Sequence, residues 1–297
     1  MQINISNKNK IFFKKPKITK GEIVNYYQKI TPYIMPHIKN RPVNMVRAPD
    51  GMLGHIFFQQ NMPPYFPEWI DSFGTFRITK GGFARHVLIN KPETLVYLAN
   101  EGVVTIHVWN SRTKNIKNPD RIVFDLDPPD KKNGFEMVRE VAFLLKKELE
   151  KTGAKPYLMT TGSKGVHLVL PIKPDIAFKK VKAFAKAVVN KMESEYPEKV
   201  TGNFRKSKRT GKVFIDYLRN NYGQTAVAPY SVRLKAGAPV ACPIFWADLH
   251  KKNFGPQTIN IKNVFQYLKK GDPWKGIYKG VRSVVYYEGK IKIINKS

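Results

Sequence analysis

The chain has 297 residues, and its 52 Lys and Arg against 22 Asp and Glu give a formal net charge of +30 at pH 7. With 42% hydrophobic residues, this composition excludes a disordered basic tail and favours a globular protein with a polyanionic partner, nucleic acid first. The single Cys242 excludes a disulfide framework, and no apolar run reaches the roughly 20 residues that span a bilayer. We therefore expect an intracellular, cytoplasmic protein without a membrane segment.

The first 20 residues carry six lysines and no acid, which is typical of a solvated arm or of a phosphate-binding face. Thr19 and Glu22 form a capping-box pattern, which predicts a helix starting near Lys20. Because the start of a helix attracts anions, Lys10 and Lys20 beside it suit a terminal phosphate.

The elements that follow mix strands with helices. Residues 41–89 are predicted to form short strands and loops, and one ring of the Phe57 and Phe58 pair would stack on a base. Further strands are predicted at 103–109, 121–127, 157–161, 166–171, 212–218 and 225–232, and helices at 90–100, 135–152, 177–195 and 261–269. This mixture favours an α+β fold, and the lack of a linker favours one domain over residues 1–297, with two lobes around a cleft.

The strand at 121–127 ends in an Asp-x-Asp pattern. Because side chains alternate along a strand, Asp125 and Asp127 share one face, where two carboxylates call for a cation. Mg²⁺ or Mn²⁺ pairs bound in this way serve nucleotidyl transfer, although a solvated strand end would show the same pattern. Asp216 lies in a second apolar strand, where its charge needs a metal, hydrogen bonds or a buried ion pair with an arginine.

Two further segments are rich in groups that bind phosphate. The turn at residues 160–167 offers backbone amides, the Thr161 and Ser163 hydroxyls, Lys164 and the emerging His167, but it lacks P-loop spacing and a plain hairpin turn remains an alternative. The loop at residues 201–211 is basic between two glycines, and phosphate contact is its expected use. The histidines show no zinc-ligand spacing, and His107 on an apolar strand is typical of a core residue.

Three motifs occur in a fixed order: an apolar strand with Asp-x-Asp, then GSKGVH (162–167), then an apolar strand with Ile-Asp. This order resembles the catalytic core of the archaeo-eukaryotic primase superfamily. Within this superfamily, the chain resembles the polymerase domain of bacterial ligase D and its free-standing relatives. The segments that carry this resemblance are IHVWNSR (106–112), PDRIVFDLDP (119–128), KVFIDYL (212–218) and VAPYSVR (227–233). The resemblance runs from residue 9 to residue 274 and implies mixed and antiparallel sheets flanked by helices around a cleft.

The resemblance also implies roles for individual residues. Asp125, Asp127 and Asp216 match the catalytic, metal-binding aspartates. The positions that match nucleotide-binding residues are His107, Thr161, Lys164, His167, Arg209 and Arg233, beside Ser163 in the same turn. Lys10 and Lys20 match lysines that bind a 5′-phosphate across a gap. The positions that match DNA-contacting residues are Arg47, Phe57 and Phe58, with Arg205, Lys206 and Lys208 in a loop that, like residues 78–85, positions template and primer ends.

The implied function is a template-directed polymerase that fills gaps and extends ends in non-homologous end joining, with two divalent ions and a preference for ribonucleoside triphosphates over deoxynucleotides. The implied partners are gapped or broken DNA with a 5′-phosphate, the end-binding protein Ku and a separate ligase. We expect a nucleoid-associated monomer that pairs across DNA ends. A replicative or mobile-element primase and a non-catalytic basic nucleic-acid-binding protein are the alternatives. Residues 275–297 lie beyond the resemblance and have no predicted role.

Overall fold

The protein is described by a computed structural model that covers residues 3–76, 81–131 and 133–294. Its helices are α1 (Lys20–Ile38), α2 (Pro92–Asn100), α3 (Gly134–Lys151), α4 (Phe178–Glu195), α5 (Trp246–Leu249), α6 (Val264–Leu268) and α7 (Val284–Ile294). Its strands are β1 (Ile11–Phe13), β2 (Ile18–Thr19), β3 (Pro42–Arg47), β4 (Phe57–Gln59), β5 (Ser72–Phe76), β6 (Phe83–Leu88), β7 (Val103–Trp109), β8 (Arg121–Asp127), β9 (Tyr157–Thr160), β10 (Val166–Pro171), β11 (Val200–Thr201), β12 (Val213–Asp216), β13 (Thr225–Val227), β14 (Ser231–Val232), β15 (Val240–Ala241) and β16 (Pro243–Ile244). This composition confirms the prediction of an α+β fold.

The chain divides into two compact units. The first unit comprises Met1–Lys114, Thr225–Cys242 and Ile259–Gly271, and the second comprises Asn115–Gln224, Pro243–Thr258 and Asp272–Ser297. Neither unit is one continuous stretch of sequence, because the chain passes between them several times. The description of residues 1–297 as a single domain stays a prediction.

The first unit begins with a β1–β2 hairpin rather than a solvated arm. Phe12, Phe13 and Ile18 are buried, while the lysines at the turn between the strands are exposed. Helix α1 starts at Lys20 as predicted, because the Thr19 hydroxyl accepts the Glu22 N–H at 3.2 Å and the Glu22 carboxylate accepts the Thr19 N–H at 2.7 Å. The capping-box prediction is confirmed.

The sheet of the first unit has the order β13-β7-β3-β6-β5, with β4 also paired to β3. Helix α1 is tied to this unit by Tyr27, whose buried hydroxyl donates to the Val104 carbonyl at 2.6 Å and accepts the Val232 N–H at 3.0 Å. The single strand predicted at 225–232 is wrong in one respect. It is interrupted at Tyr230, which has a positive φ of 64°, so β14 leaves β13 and pairs with β15 instead.

The sheet of the second unit has the order β11-β12-β8-β10-β9-β16. Strand β8 lies inside this sheet, and Ile122, Phe124 and Leu126 of β8 are fully buried. Helices α3 and α4 pack against β8. The predicted β9–β10 hairpin is confirmed, whereas the strand predicted at 212–218 ends at Asp216 and gives way to a 3-10 helix, Leu218–Asn220.

The segment beyond residue 274 folds onto the second unit. Ile277, Val284 and Tyr287 are buried, α7 packs against α4, and the Lys173 N–H donates to the Arg282 carbonyl at 2.9 Å. Ile277, Val284 and Tyr287 therefore belong to the core of this unit. Among the described residues, no helix combines the length and the apolar character that crossing a membrane requires.

Candidate active site

The three predicted aspartates lie at neighbouring positions of one sheet in the second unit. Asp125 on β8 is paired with Asp216 on β12 on one side and with His167 on β10 on the other. Directly opposite residues of an antiparallel pair share a face, with Cβ atoms about 4.5–5.5 Å apart, and Asp127 faces the same way two residues along β8. The structure thus brings Asp125, Asp127 and Asp216, hereafter the aspartate cluster, together beside His167.

Each carboxylate oxygen of Asp125 and Asp216 faces a donor. His167 Nε2 lies 3.3 Å from Asp125 Oδ1, and the Leu218 N–H donates to Asp216 Oδ1 at 2.7 Å. Arg219 Nε lies 3.4 Å from Asp125 Oδ2 and 3.3 Å from Asp216 Oδ2. Arg219 is not among the predicted site residues, although a basic residue three positions after an acid is a signal for such a pair.

Burial makes it costly to ionise the whole cluster. Burial, and after it the charge on Asp125, raise the pKa of Asp127 to about 6, while His167 and Arg219 oppose the shift. Burial also raises the pKa of Asp216, against the effects of Arg219 and the Leu218 N–H. A bound cation would relieve both penalties, because it favours the charged form of each carboxylate.

The aspartate cluster fits a divalent metal in its chemistry. Carboxylate oxygens are the ligands that Mg²⁺ and Mn²⁺ prefer, and mutually repelling carboxylates gain most from a cation. Within residues 3–76, 81–131 and 133–294, however, no three Asp, Glu, His or Cys side chains converge closely enough to hold an ion as they stand. The Arg219 guanidinium occupies the counter-cation position between Asp125 and Asp216, so side chains must rearrange for a metal to bind.

Asn220 fixes the backbone next to the aspartate cluster. Its side chain is 1% exposed; the Oδ1 atom accepts the Val123 N–H at 2.8 Å and the Nδ2 group donates to the Val123 carbonyl at 2.8 Å. The amide side chain therefore bonds to β8 as a neighbouring strand would, past the point where β12 ends. Nothing in the local sequence pattern distinguished this asparagine from an ordinary loop residue.

The predicted phosphate turn is held together by Thr161. Its buried hydroxyl donates to the Gly165 carbonyl at 3.0 Å and accepts the N–H groups of Ser163 and Gly165, both at 3.3 Å. Gln257 Nε2 donates to the Ser163 carbonyl at 2.8 Å. Two amides that were candidates for phosphate thus contact Thr161, and the exposed Lys164 is the side chain that the turn presents to solvent.

The basic loop of the second unit approaches Asp216 through Arg209. Arg209 Nε donates to the Asn203 carbonyl at 2.8 Å, and its Cζ lies 3.5 Å from the centroid of the Phe214 ring. Burial raises the pKa of Asp216, and the charge of Arg209 is one of the weaker effects that oppose this rise. The solvent-exposed cations of this loop are Arg205, Lys206 and Lys208. Of the other predicted loop, residues 78–85, positions 78–80 lie outside the described residues.

The first unit carries a separate group of predicted residues. Phe58 is 57% exposed and its ring centroid lies 6.0 Å from that of His107, so the candidate stacking ring and the candidate nucleotide contact adjoin. Phe57 is half-buried against His55. The Arg47 side chain is only 9% exposed and donates to the Glu101 carbonyl, Gln59 and the Tyr65 hydroxyl. Arg47 therefore holds these neighbouring residues in position from beneath the surface. Arg233 follows β14 and is half-buried.

Lys10 and Lys20 lie close together at the start of α1. Lys10 pairs with Asp50, and Lys20 Nζ donates to the Ser6 hydroxyl at 2.9 Å. Burial lowers the pKa of Lys20; Glu101 opposes this and Lys10 adds to it. The first backbone amides of α1 donate to the carbonyls of residues 8 and 10 and are therefore engaged within the chain. A pocket of ≈ 740 Å³ is lined by residues 5 and 7–10; Lys10 lines it, whereas Lys20 is buried and does not.

The chain is similar to known proteins over most of its length. Residues 19–274 match the profile of the family described as LigD, primase-polymerase domain. The bifunctional non-homologous end joining protein LigD of Bacillus subtilis is 30% identical over 280 residues, which are 94% of this chain and 44% of the relative. The multifunctional protein LigD of Mycolicibacterium smegmatis is 31% identical over 252 residues, which are 84% of this chain and 32% of the relative.

The solved polymerase domain from Mycobacterium tuberculosis ligase D, in complex with DNA, is similar with a TM-score of 0.86 and 26% identity, covering 94% of this chain and 99% of that one. The chain spans between about a third and under half of the curated relatives' length. Primase-polymerase domains of this kind are metal-dependent nucleotidyltransferases, so the predicted fold and enzyme class are confirmed. With a match over residues 19–274, the chain belongs to the LigD primase-polymerase domain family.

Proposed function

We propose that the protein is a template-directed DNA-repair polymerase that fills gaps and extends broken ends in non-homologous end joining. The observation that carries the proposal is the row Asp216, Asp125 and His167 across three paired strands, with Asp127 on the same face. The names of the two relatives as end-joining proteins, and the DNA in the complex of the M. tuberculosis domain, support it.

Asp125, Asp127 and Asp216 would hold two divalent ions, Mn²⁺ or Mg²⁺. When bound, such ions lower the pKa of an attacking hydroxyl and stabilise charge on a triphosphate. His167, which is buried against Asp125, keeps that carboxylate oriented toward the ligand. The Leu218 N–H holds Oδ1 of Asp216 in the same way, so one oxygen of each carboxylate has a fixed partner.

The cations of the second unit would bind the triphosphate. Lys164 is exposed on a turn that Thr161 and Gln257 make rigid, and Arg209 is held over Phe214 close to Asp216. Fixed positive charge of this kind offsets the charge that develops on the leaving pyrophosphate. Cationic groups that are already in position stabilise this charge without having to reorganise during the reaction.

The residues of the first unit keep their predicted roles. His107 and Arg233 would contact the nucleotide, Phe58 would stack against DNA, and Lys10 with Lys20 would bind a 5′-phosphate. The preference for ribonucleotides, the action beside Ku and a ligase, the monomeric state with pairing across DNA ends, and the nucleoid location all belong to this proposal.

The test is manganese-dependent incorporation of labelled nucleotide on gapped, 5′-phosphorylated DNA by the wild type and the Asp216→Asn variant. We expect Asp216→Asn to lower the rate by more than about a hundredfold, the range in which metal sites respond, while DNA affinity stays close to the wild type. Asp130→Asn, a change of the same charge at an exposed position, is the matched control and should keep the wild-type rate. Wild-type incorporation by Asp216→Asn would contradict the proposal.

A further inference from the structure

We infer that Arg219 competes with divalent metal for Asp125 and Asp216 and thereby sets the metal affinity of the site. The inference rests on the metal-dependent function proposed above. It concerns a residue that touches two of the proposed ligands and that the proposed mechanism does not otherwise use.

The competition follows from which oxygen atoms are engaged. The Oδ1 atom of Asp125 faces His167, and the Oδ1 atom of Asp216 accepts the Leu218 N–H. The Oδ2 atoms of both carboxylates converge on the same Arg219 Nε, at 3.4 and 3.3 Å. A cation shared by the two aspartates would bind at this convergence, so the cation and Arg219 cannot both occupy it.

Of the donors around these carboxylates, Arg219 is the one that can leave most easily. The Leu218 N–H is part of the backbone, and His167 is buried in the sheet. The Arg219 side chain is 39% exposed, and its Nε contacts with Asp125 and Asp216 are longer than the roughly 2.7–2.9 Å of a strong charge-assisted hydrogen bond. A long arginine side chain can turn its head into water at little cost.

Displacing Arg219 requires no backbone movement. Arg219 lies in the 3-10 helix Leu218–Asn220, and the Asn220 side chain fastens that helix to both backbone groups of Val123. The Leu218 N–H that orients Asp216 is in the same helix and stays in place. Releasing Arg219 is therefore a rotamer change of one side chain that leaves the backbone in place, and the carboxylates then turn toward the ion.

Charge determines the direction of the exchange. Arg219 brings one positive charge to a cluster of three carboxylates, which leaves them undercompensated, whereas a divalent ion brings two. Removing the arginine charge deletes a competitor for the metal, so it should strengthen metal binding. If Arg219 instead supported the ligands in the metal-bound state, its removal would weaken metal binding, and the two roles predict opposite signs.

The experiment titrates Mn²⁺ into metal-stripped, full-length protein and follows the electron paramagnetic resonance signal of free Mn²⁺. We expect Arg219→Gln to bind Mn²⁺ about three- to fivefold more tightly than the wild type, the upper end of the scale of an exposed ion pair. Arg219→Lys keeps the charge and should stay within about twofold of the wild type. Asp216→Asn removes a proposed ligand and should weaken binding.

A second measurement is thermal unfolding in EDTA and in Mn²⁺. Arg219→Gln should melt below the wild type in EDTA, and Mn²⁺ should raise its melting temperature by more than that of the wild type. Equal or weaker Mn²⁺ binding by Arg219→Gln, with Asp216→Asn impaired, would overturn the inference and leave the proposed function intact. Unchanged binding by Asp216→Asn would overturn the metal site and the inference with it. Tighter binding by Arg219→Gln in a protein that lacks polymerase activity would support the inference and refute the function alone.

Discussion

Replacing Asp127 by asparagine should stabilise the metal-free protein at neutral pH while it abolishes nucleotide incorporation. The side chain keeps its size, but it loses the ability to carry a negative charge in a half-buried position beside Asp125. The carboxylate that the proposed reaction needs is therefore one that the fold would be more stable without.

The sign and size follow from the pKa of Asp127, which burial and then the charge on Asp125 raise from 3.8 to about 6. Between pH 3.8 and about 6 the folded chain holds the Asp127 proton more tightly than the unfolded chain does. The free energy of unfolding of the wild type therefore falls as the pH rises through this range, and it stays low above about pH 6. One pKa unit corresponds to about 1.36 kcal/mol, so Asp127→Asn can raise the free energy of unfolding by at most about 3 kcal/mol. Because Asp127 shares its proton with the neighbouring carboxylates, the full shift does not belong to Asp127 alone, and we expect the free energy of unfolding to rise by about 1–3 kcal/mol.

The assay is thermal unfolding in EDTA at pH 4, 6 and 8. Asp127→Asn should melt close to the wild type at pH 4 and several degrees above it at pH 8, since about 1 kcal/mol moves the melting temperature by about 2–4 °C in a protein of this size class. Asp130→Asn makes the same change in net charge at an exposed site and should show no such trend.

Added Mn²⁺ should remove the advantage of Asp127→Asn, because the ion compensates the wild-type carboxylates. The reasoning would be refuted if Asp127→Asn were no more stable than the wild type at pH 8, or if its advantage were the same at every pH. Either result would mean that burial does not penalise the charge on Asp127.

Two other substitutions test the supports of the site. Gly165→Ala would place a Cβ atom 1.9 Å from the Leu126 carbonyl oxygen, so we expect a loss of more than about 3 kcal/mol in thermal unfolding together with lost incorporation, whereas Gly289→Ala, which meets no atom within 4 Å, should behave as wild type. Asn220→Ala would leave both backbone groups of Val123 without their side-chain partner and should cost about 2–4 kcal/mol, measured by denaturant unfolding.

The aspartate cluster shows where sequence reasoning succeeds and where it stops. That Asp125 and Asp127 share a face follows from strand alternation, which is a local property of the chain. That Asp216 lies opposite Asp125 depends on the register between strands about ninety residues apart in the sequence, which no local pattern determines. The expectation that Asp216 joins Asp125 and Asp127 came from the resemblance to a family. The apolar residues around Asp216 predicted only that its strand is buried.

The amino-terminal segment shows how composition can mislead. Six lysines in 20 residues favoured a solvated arm or a phosphate-binding face, yet Phe12, Phe13 and Ile18 pack into the first unit. A hairpin can bury three apolar side chains and still leave lysines at its turn in water. Counts of charge therefore predict the surface of such a segment better than its backbone structure.

The turn at residues 161–165 shows a related limit. Its sequence reveals how many donors it contains, but the structure determines where they point, and Thr161 receives two amides that seemed free for phosphate. These internal bonds make the turn rigid and leave Lys164 as its outward charge. Thr161 therefore holds the turn in shape, and Lys164 is the residue that can contact a phosphate. Residue types alone do not distinguish these two roles.

The contacts around the aspartate cluster explain how a protein with 22 acids keeps three of them together under partial burial. Leu218 and His167 hold the carboxylates in position, and Arg219 supplies part of the missing positive charge. Only the last of these contacts is exchangeable, because the first is made by backbone and the second is enclosed in the sheet. A site with a fixed backbone and one removable cation can stay folded without metal and still accept it. The buried carboxylates and the partly exposed arginine are thus two parts of one arrangement, and substituting either should move stability and metal affinity in opposite directions.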